Sequence, residues 1–116
     1  MKVNIDYDDE EDILYFYPDE KSVDFSIDYD DIILDVSGNK IVGIEIINAS
    51  EKFGTDKEEI EKIKQSLSSI QEAYMNVKYG LNSIFIKIGF LSSVPDTARE
   101  GMLIQVPIKK EMMIEV

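Results

Sequence analysis

The chain contains no cysteine, no histidine and no tryptophan, and its single arginine is Arg99. Each absence removes a class of chemistry. Without histidine or cysteine there is no Ser-His-Asp or Cys-His nucleophile system, no zinc site with nitrogen or sulfur ligands, and no haem ligation by either residue. The missing cysteines also remove disulfides, although they do not fix the redox compartment. Only 6 glycines and 3 prolines occur. The glycines, at positions 38, 43, 54, 80, 89 and 101, spell neither a P-loop nor a dinucleotide-binding fingerprint. One arginine is too few for a bidentate phosphate clamp. No apolar run approaches the roughly 20 residues needed to cross a bilayer, and the opening MKVNIDYDDEED has no apolar signal-peptide core, so a soluble cytoplasmic protein with no membrane association is expected.

What is abundant is negative charge, and it is unevenly placed. Residues 1–51 hold 15 Asp and Glu against 3 Lys and Arg, a balance of −12, whereas residues 52–116 hold 9 of each sign. A phosphate backbone would be repelled by the first half, and the lysines of the second are scattered rather than grouped, so no nucleic-acid partner is expected. With 44% hydrophobic residues in 116, the chain can bury one core and reads as a single domain over 1–116.

Periodicity supplies the fold class. Val3, Ile5 and Tyr7 alternate with polar neighbours; ILYFY at 13–17 is apolar at every position; Val23, Phe25, Ile27 and Tyr29 alternate again. DDIILDVSGNKIVGIEIINAS at 30–50 reads as a hairpin. A three-residue loop of Ser37, Gly38 and Asn39 would pair Leu34 with Val42 and Ile32 with Ile44, making one face dry and leaving Ile33, Ile41 and Ile47 among acidic residues on the other. A helix is predicted over 55–73, capped by Thr55 with Glu58, and carrying Ile60, Ile63, Leu67, Ile70 and Tyr74 as a narrow stripe. That stripe packs across the sheet or, alternatively, against the same helix of a second subunit. Residues 74–116 return to a period of two, with 92–101 as a loop and Pro107 marking a strand at a sheet edge or one that is bulged. The expectation is an α+β fold: an antiparallel β-meander (1–51), then one α-helix (55–73), then a further set of β-strands (74–116).

The first fifty residues resemble the family catalogued as domain of unknown function 2283. The residues that carry the resemblance, over about 3–50, are Tyr7-Asp8, EEDILYFY at 10–17, IILDV at 32–36, IVGIEI at 41–46 and Ala49-Ser50. Asp31 stands where members usually place glycine, and the hairpin loop reads one residue shorter. The resemblance implies a small acidic β-meander, and a partner-binding or antitoxin-like role is an expectation for small acidic proteins in general. It lends no activity, cofactor or catalytic residue.

Two carboxylate clusters invite a metal. Asp6, Asp8 and Glu10 alternate as calcium ligands do, but Glu11 occupies the sixth position, where an EF-hand loop needs glycine, and the stretch from Asp28 fails the same test. Asp35 and Glu45 are candidates for an acid and base beside Ile33 and Ile41. In the register above, however, Asp35 faces Ile41 and Glu45 faces Asp31, with no pocket implied.

The leading expectation is therefore a non-enzymatic interaction module without a cofactor. Its acidic surface, Asp6, Asp8, Asp9, Glu10, Glu11, Asp12, Asp28, Asp30, Asp31 and Asp35, would hold a basic protein partner. The alternative is a small carboxylate- and tyrosine-lined protein that binds a ligand or divalent cation, or an enzyme. Apolar residues on both faces of the sheet lead to the further expectation of a homodimer with Ile33, Ile41 and Ile47 in its seam.

Overall fold

A computed structural model describes residues 2–19, 22–54, 56–92 and 102–107. The elements run in the order β1 (Lys2–Asp8), β2 (Ile13–Tyr17), β3 (Phe25–Tyr29), β4 (Ile32–Ser37), β5 (Lys40–Ile47), α1 (Ala49–Phe53), α2 (Lys57–Leu67), β6 (Ile70–Tyr79), β7 (Ser83–Ser92) and β8 (Met102–Pro107). All eight strands join one antiparallel sheet in the order β3-β4-β5-β2-β1-β6-β7-β8. The sheet curls into a nearly closed, barrel-like layer around one apolar core. This corrects the α+β expectation. The strands after the helix are a continuation of the first sheet through β1 and β6, and two short helices replace one long one.

The alternation of each strand decides what enters the core. Val3, Ile5 and Tyr7 of β1 lie on the inner side, Ile5 paired with Phe16 and Tyr7 with Leu14 of β2, and Leu14 and Phe16 are completely buried. Ile44 and Ile46 of β5 and Leu34 and Val36 of β4 extend the same surface. From the other half come Ala73 and Met75 of β6, Ile84, Ile86, Ile88 and Phe90 of β7, and Ile104 and Val106 of β8. Removing so much apolar surface from water is the dominant favourable term in such a fold. The two halves join through β1 and β6, which among the described residues pair at Lys2–Tyr74 and Val3–Ala73. On the far side, the Tyr79 hydroxyl accepts a 2.8 Å hydrogen bond from the Ile41 amide, tying the end of β6 to the start of β5.

The β4–β5 hairpin resolves the two-faced isoleucine pattern differently from the expected register. Ser37 pairs with Lys40 and Val36 with Ile41 around a two-residue Gly38–Asn39 turn, with Gly38 at φ 64°. The register then shifts: Asp35 pairs with Gly43, Leu34 with Ile44, Ile33 with Glu45 and Ile32 with Ile46. Val42 is thus the extra residue of a β-bulge. A uniform two-residue loop would have put Glu45 opposite Ile32 on the core side, and a uniform three-residue loop would have put Ile41 outside. The bulge keeps Ile41 inside, at 6% exposure, and turns Glu45 out.

The helix is shorter than its stripe implied. Asp56 is the N-cap of α2, its side chain accepting a 2.8 Å hydrogen bond from the Glu59 amide, while the expected cap Thr55 lies outside the described residues. Ile63 and Leu67 are buried, and the helix ends at Ser68. Ile70 and Tyr74 belong to β6, where Ala73 and Met75 point inward at a period of two and Tyr74 points out. Their spacing from Leu67 mimics a helix only because three- and four-residue steps also occur across a helix–strand junction. The expected loop at 92–101 with Arg99, and Ile108, Met112, Ile114 and Val116, lie outside the described residues apart from Ser92, which ends β7. Among the described strands β8, which carries Pro107, stands at one end of the sheet order. Among the described residues no helix is long and apolar enough to cross a membrane.

Candidate functional site

The outer surface of β3, β4, β5 and β2 is where polar side chains of distant segments meet. Asp35 lies on β4 with its side chain on this outer side, yet it is only 8% exposed. A buried carboxylate needs donors, and two are supplied: the Tyr15 hydroxyl donates to Oδ2 at 2.6 Å and the Ser26 hydroxyl to Oδ1 at 2.7 Å. The cross-strand neighbour of Asp35 is Gly43. A Cβ at that position would lie 3.0 Å from the Phe16 carbonyl oxygen and 3.1 Å from Asp35 Oδ2. The glycine therefore makes room for the carboxylate to lie across β5 and reach Tyr15 on β2.

Beside this arrangement Glu45 stands opposite both Ile33 and Tyr15. Tyr15, Val23, Ser26, Ile33, Asp35 and Glu45 line an open depression of about 370 Å³. The rings of Tyr15 and Tyr17 stack with centroids 4.9 Å apart and planes 26° apart, extending an aromatic wall along β2. Asp35 and Glu45 do share a face, but not in the expected pairing: Asp35 faces Gly43 rather than Ile41, and Glu45 faces Ile33 rather than Asp31.

A second polar network closes the other end of the same half. Asp12, in the left-handed region at φ 58°, accepts hydrogen bonds from the Tyr7 hydroxyl at 2.6 Å and from the Ser50 amide at 3.0 Å on Oδ1, and from the Ser50 hydroxyl at 2.6 Å on Oδ2. Its backbone carbonyl accepts from the Ala49 amide at 2.9 Å. Asn48, the N-cap of α1, makes no side-chain cap, so Asp12 satisfies the first turn from across the chain. Burial, the hydrogen bond to Asp12 and the negative charge of Asp12, Asp9 and Asp8 all push the Tyr7 hydroxyl far above its ordinary value of 10.0. The folded state holds that proton more tightly than the unfolded chain does. The corresponding stabilisation is complete below the unfolded value and is lost as pH rises beyond it toward the folded one. Urea unfolding above pH 10 is accordingly expected to weaken wild type more steeply than a Tyr7→Phe variant, which has no phenol to ionise at this position; equal slopes would refute the assignment.

The remaining acidic positions divide. Asp6, Asp8, Asp9, Glu10, Glu11, Asp28 and Asp30 are exposed. Asp8 caps its own turn by accepting from the Glu10 and Glu11 amides at 3.0 and 3.1 Å. Lys52 binds Asp31 at 2.9 Å and holds that carboxyl below its usual range. Asp12 is partly buried and Asp35 buried, and both accept hydrogen bonds from within the fold. Of the expected seam, Ile33 and Ile47 lie half-buried on the outer side while Ile41 is in the core, so the three do not form one patch. Among the described residues no three carboxylates are grouped to hold a metal ion. Sequence reasoning missed Ser26 and Ser50 as partners, although Tyr15, Asp35, Gly43 and Ser50 are all residues that carry the family resemblance.

Comparison with known proteins follows the same division of the chain. Residues 4–50 match the family described as Protein of unknown function (DUF2283), the segment that holds both polar networks. A Methanosarcina mazei protein named "Putative hypoxanthine phosphoribosyltransferase" is 39% identical over 74 residues, covering 63% of this chain and 60% of that protein. An uncharacterized protein of Methanocaldococcus jannaschii is 46% identical over 63 residues, covering 53% of this chain and 54% of the other. The chain thus spans little more than half the length of these curated relatives. No solved structure matches it.

Proposed function

We propose that the protein is a non-enzymatic interaction module whose acidic amino-terminal half holds a basic protein partner, an antitoxin-like inhibitor being one form such a module takes. The observation that carries this reading is how the reactive-looking groups of the family segment are used. Tyr7, Asp12, Tyr15, Asp35 and Ser50 are hydrogen-bonded to one another and to Ser26, and so brace the sheet and α1. Among the described residues of this segment, the carboxylates of Asp6, Asp9, Glu10 and Glu11 face water. Such a field steers a cationic partner and confers salt-sensitive association. The reading does not require a second copy of the chain.

Transfer of a phosphoribosyl group, the activity in the name of the Methanosarcina relative, fits less well. A diphosphate-bearing substrate calls for clustered cations, and the family segment brings carboxylates instead. The depression at Tyr15 and Glu45 favours a second reading, a small-ligand or divalent-cation site.

One experiment separates the readings. The tagged protein is incubated with extract of its source cells and eluted by a salt gradient, alongside a variant with Asp9, Glu10 and Glu11 changed to lysine. The expected result is a basic protein retained by wild type, released by about 0.5 M salt, where charges are screened within roughly 4 Å, and not retained by the variant. Retention unaffected by charge reversal would overturn the proposal. A saturable rise in melting temperature with divalent cations or metabolites would favour the second reading.

A further inference from the structure

The depression between β2, β4 and β5 has a composition that selects one kind of cationic group. We propose that it is a socket for an arginine side chain of the basic partner, an inference that rests on the interaction reading above and gives that partner a point of attachment. Glu45 has no cationic partner among the described residues and stands at the depression's edge beside Tyr15 and Ile33. The two oxygens of Asp35 are occupied by the Tyr15 and Ser26 hydroxyls, so this carboxylate contributes its charge to the floor without offering a free contact atom. Val23 and Ile33 supply apolar lining suited to the methylenes of a long side chain. Tyr15 adds an aromatic side chain to the lining, and its ring is held by stacking on Tyr17.

A planar guanidinium uses all of these features together. It stacks on an aromatic face, sheds its weak hydration readily, and presents a fork of N–H donors to a carboxylate. An ammonium is a strongly hydrated point charge and gains less from the ring and the apolar wall. A hard divalent cation needs several converging oxygens, whereas here Glu45 alone has uncommitted carboxylate oxygens and no metal-holding trio occurs among the described residues.

The test uses two fluorescently labelled peptides of equal length and charge, one with arginine and one with lysine at every basic position, titrated with the full chain at about 0.15 M salt. Wild type is expected to bind the arginine peptide about tenfold more tightly than the lysine peptide, the difference one well-stacked, bidentate contact confers. Glu45→Gln should remove most of that preference while changing lysine-peptide affinity by no more than about twofold, and Tyr17→Leu should reduce the preference in the same direction. Glu45 is only partly buried, so the glutamine variant keeps the test informative should the tyrosine variant fail to fold. Equal binding of the two peptides, or a preference that survives Glu45→Gln, would overturn the socket while leaving the wider acidic-surface reading standing. Absence of binding by either peptide would overturn both.

Discussion

Replacing Asp12 with alanine is expected to cost about 4 kcal/mol of folding stability, read as a fall in the urea midpoint at unchanged slope. Three hydrogen bonds to one carboxylate vanish, leaving the fully buried Ser50 hydroxyl and amide and the half-buried Tyr7 hydroxyl without that acceptor. Loss of charged acceptors of this kind accounts for about 3 kcal/mol. Forcing alanine into the left-handed backbone at φ 58° adds about 1 kcal/mol. The diagnostic control is Asp12→Asn. Asparagine tolerates the left-handed region, its carbonyl oxygen can accept from Tyr7 and the Ser50 amide, and its amide can donate to the Ser50 hydroxyl. A loss below about 1 kcal/mol is therefore expected for asparagine. Equal damage by the two substitutions would show that the negative charge, rather than the pattern of acceptors, holds the network.

An effect of similar size is expected at Phe16, for a different reason. Its side chain is completely buried between Ile5 of β1 and Ile44 of β5. Truncation to alanine removes the transfer free energy of a ring and leaves a cavity that eight hydrogen-bonded strands cannot collapse to fill. The expected loss is about 4 kcal/mol, a large part of the roughly 5–15 kcal/mol that stabilises an ordinary domain. Leu81 is the natural comparison, because it is 97% exposed. Leu81→Ala should change the unfolding midpoint by no more than about 0.5 kcal/mol equivalent. A Phe16→Ala variant as stable as Leu81→Ala would mean that the amino-terminal half does not fold around this core.

The two substitutions probe parts of the molecule that were unequally legible in the sequence. Leu14 and Phe16 sit in an all-apolar ILYFY run, which marks a strand but not which of its faces enters the core. The pairing of Leu14 with Tyr7 and of Phe16 with Ile5 settles that through a partner strand whose own alternation is clean. The hairpin at 37–40 was recognisable from Gly38 and Asn39, but its register was not. A single inserted residue, Val42, changes which face Ile41 occupies, and no local signal distinguishes a bulged valine from a ladder valine. Helix α2 was visible from its stripe, yet its end was overread because Ile70 and Tyr74 happen to continue the helical spacing. The alternation Ala73, Met75, Val77 was the better indicator, and packing against β7 decided the contest in its favour. At the candidate site, Asp35 and Glu45 could be picked out together. The donors Tyr15 and Ser26 could not, since a hydrogen bond between residues 20 positions apart depends on strand order, which periodicity does not encode. The same holds for Asp12 and Ser50, 38 positions apart.

The backbone seam between β1 and β6, two residue pairs among the described residues, bears on how such a chain could be assembled over evolutionary time. Everything from Asn4 to Ser50 that matches the family lies on one side of it, with its own internal bracing. Recombination at that boundary would sever very little strand pairing, so the acidic half could be spliced to a new companion at small topological cost. The companion would need to bring chiefly an oily surface of comparable breadth, in the place where β6, β7 and β8 now supply one.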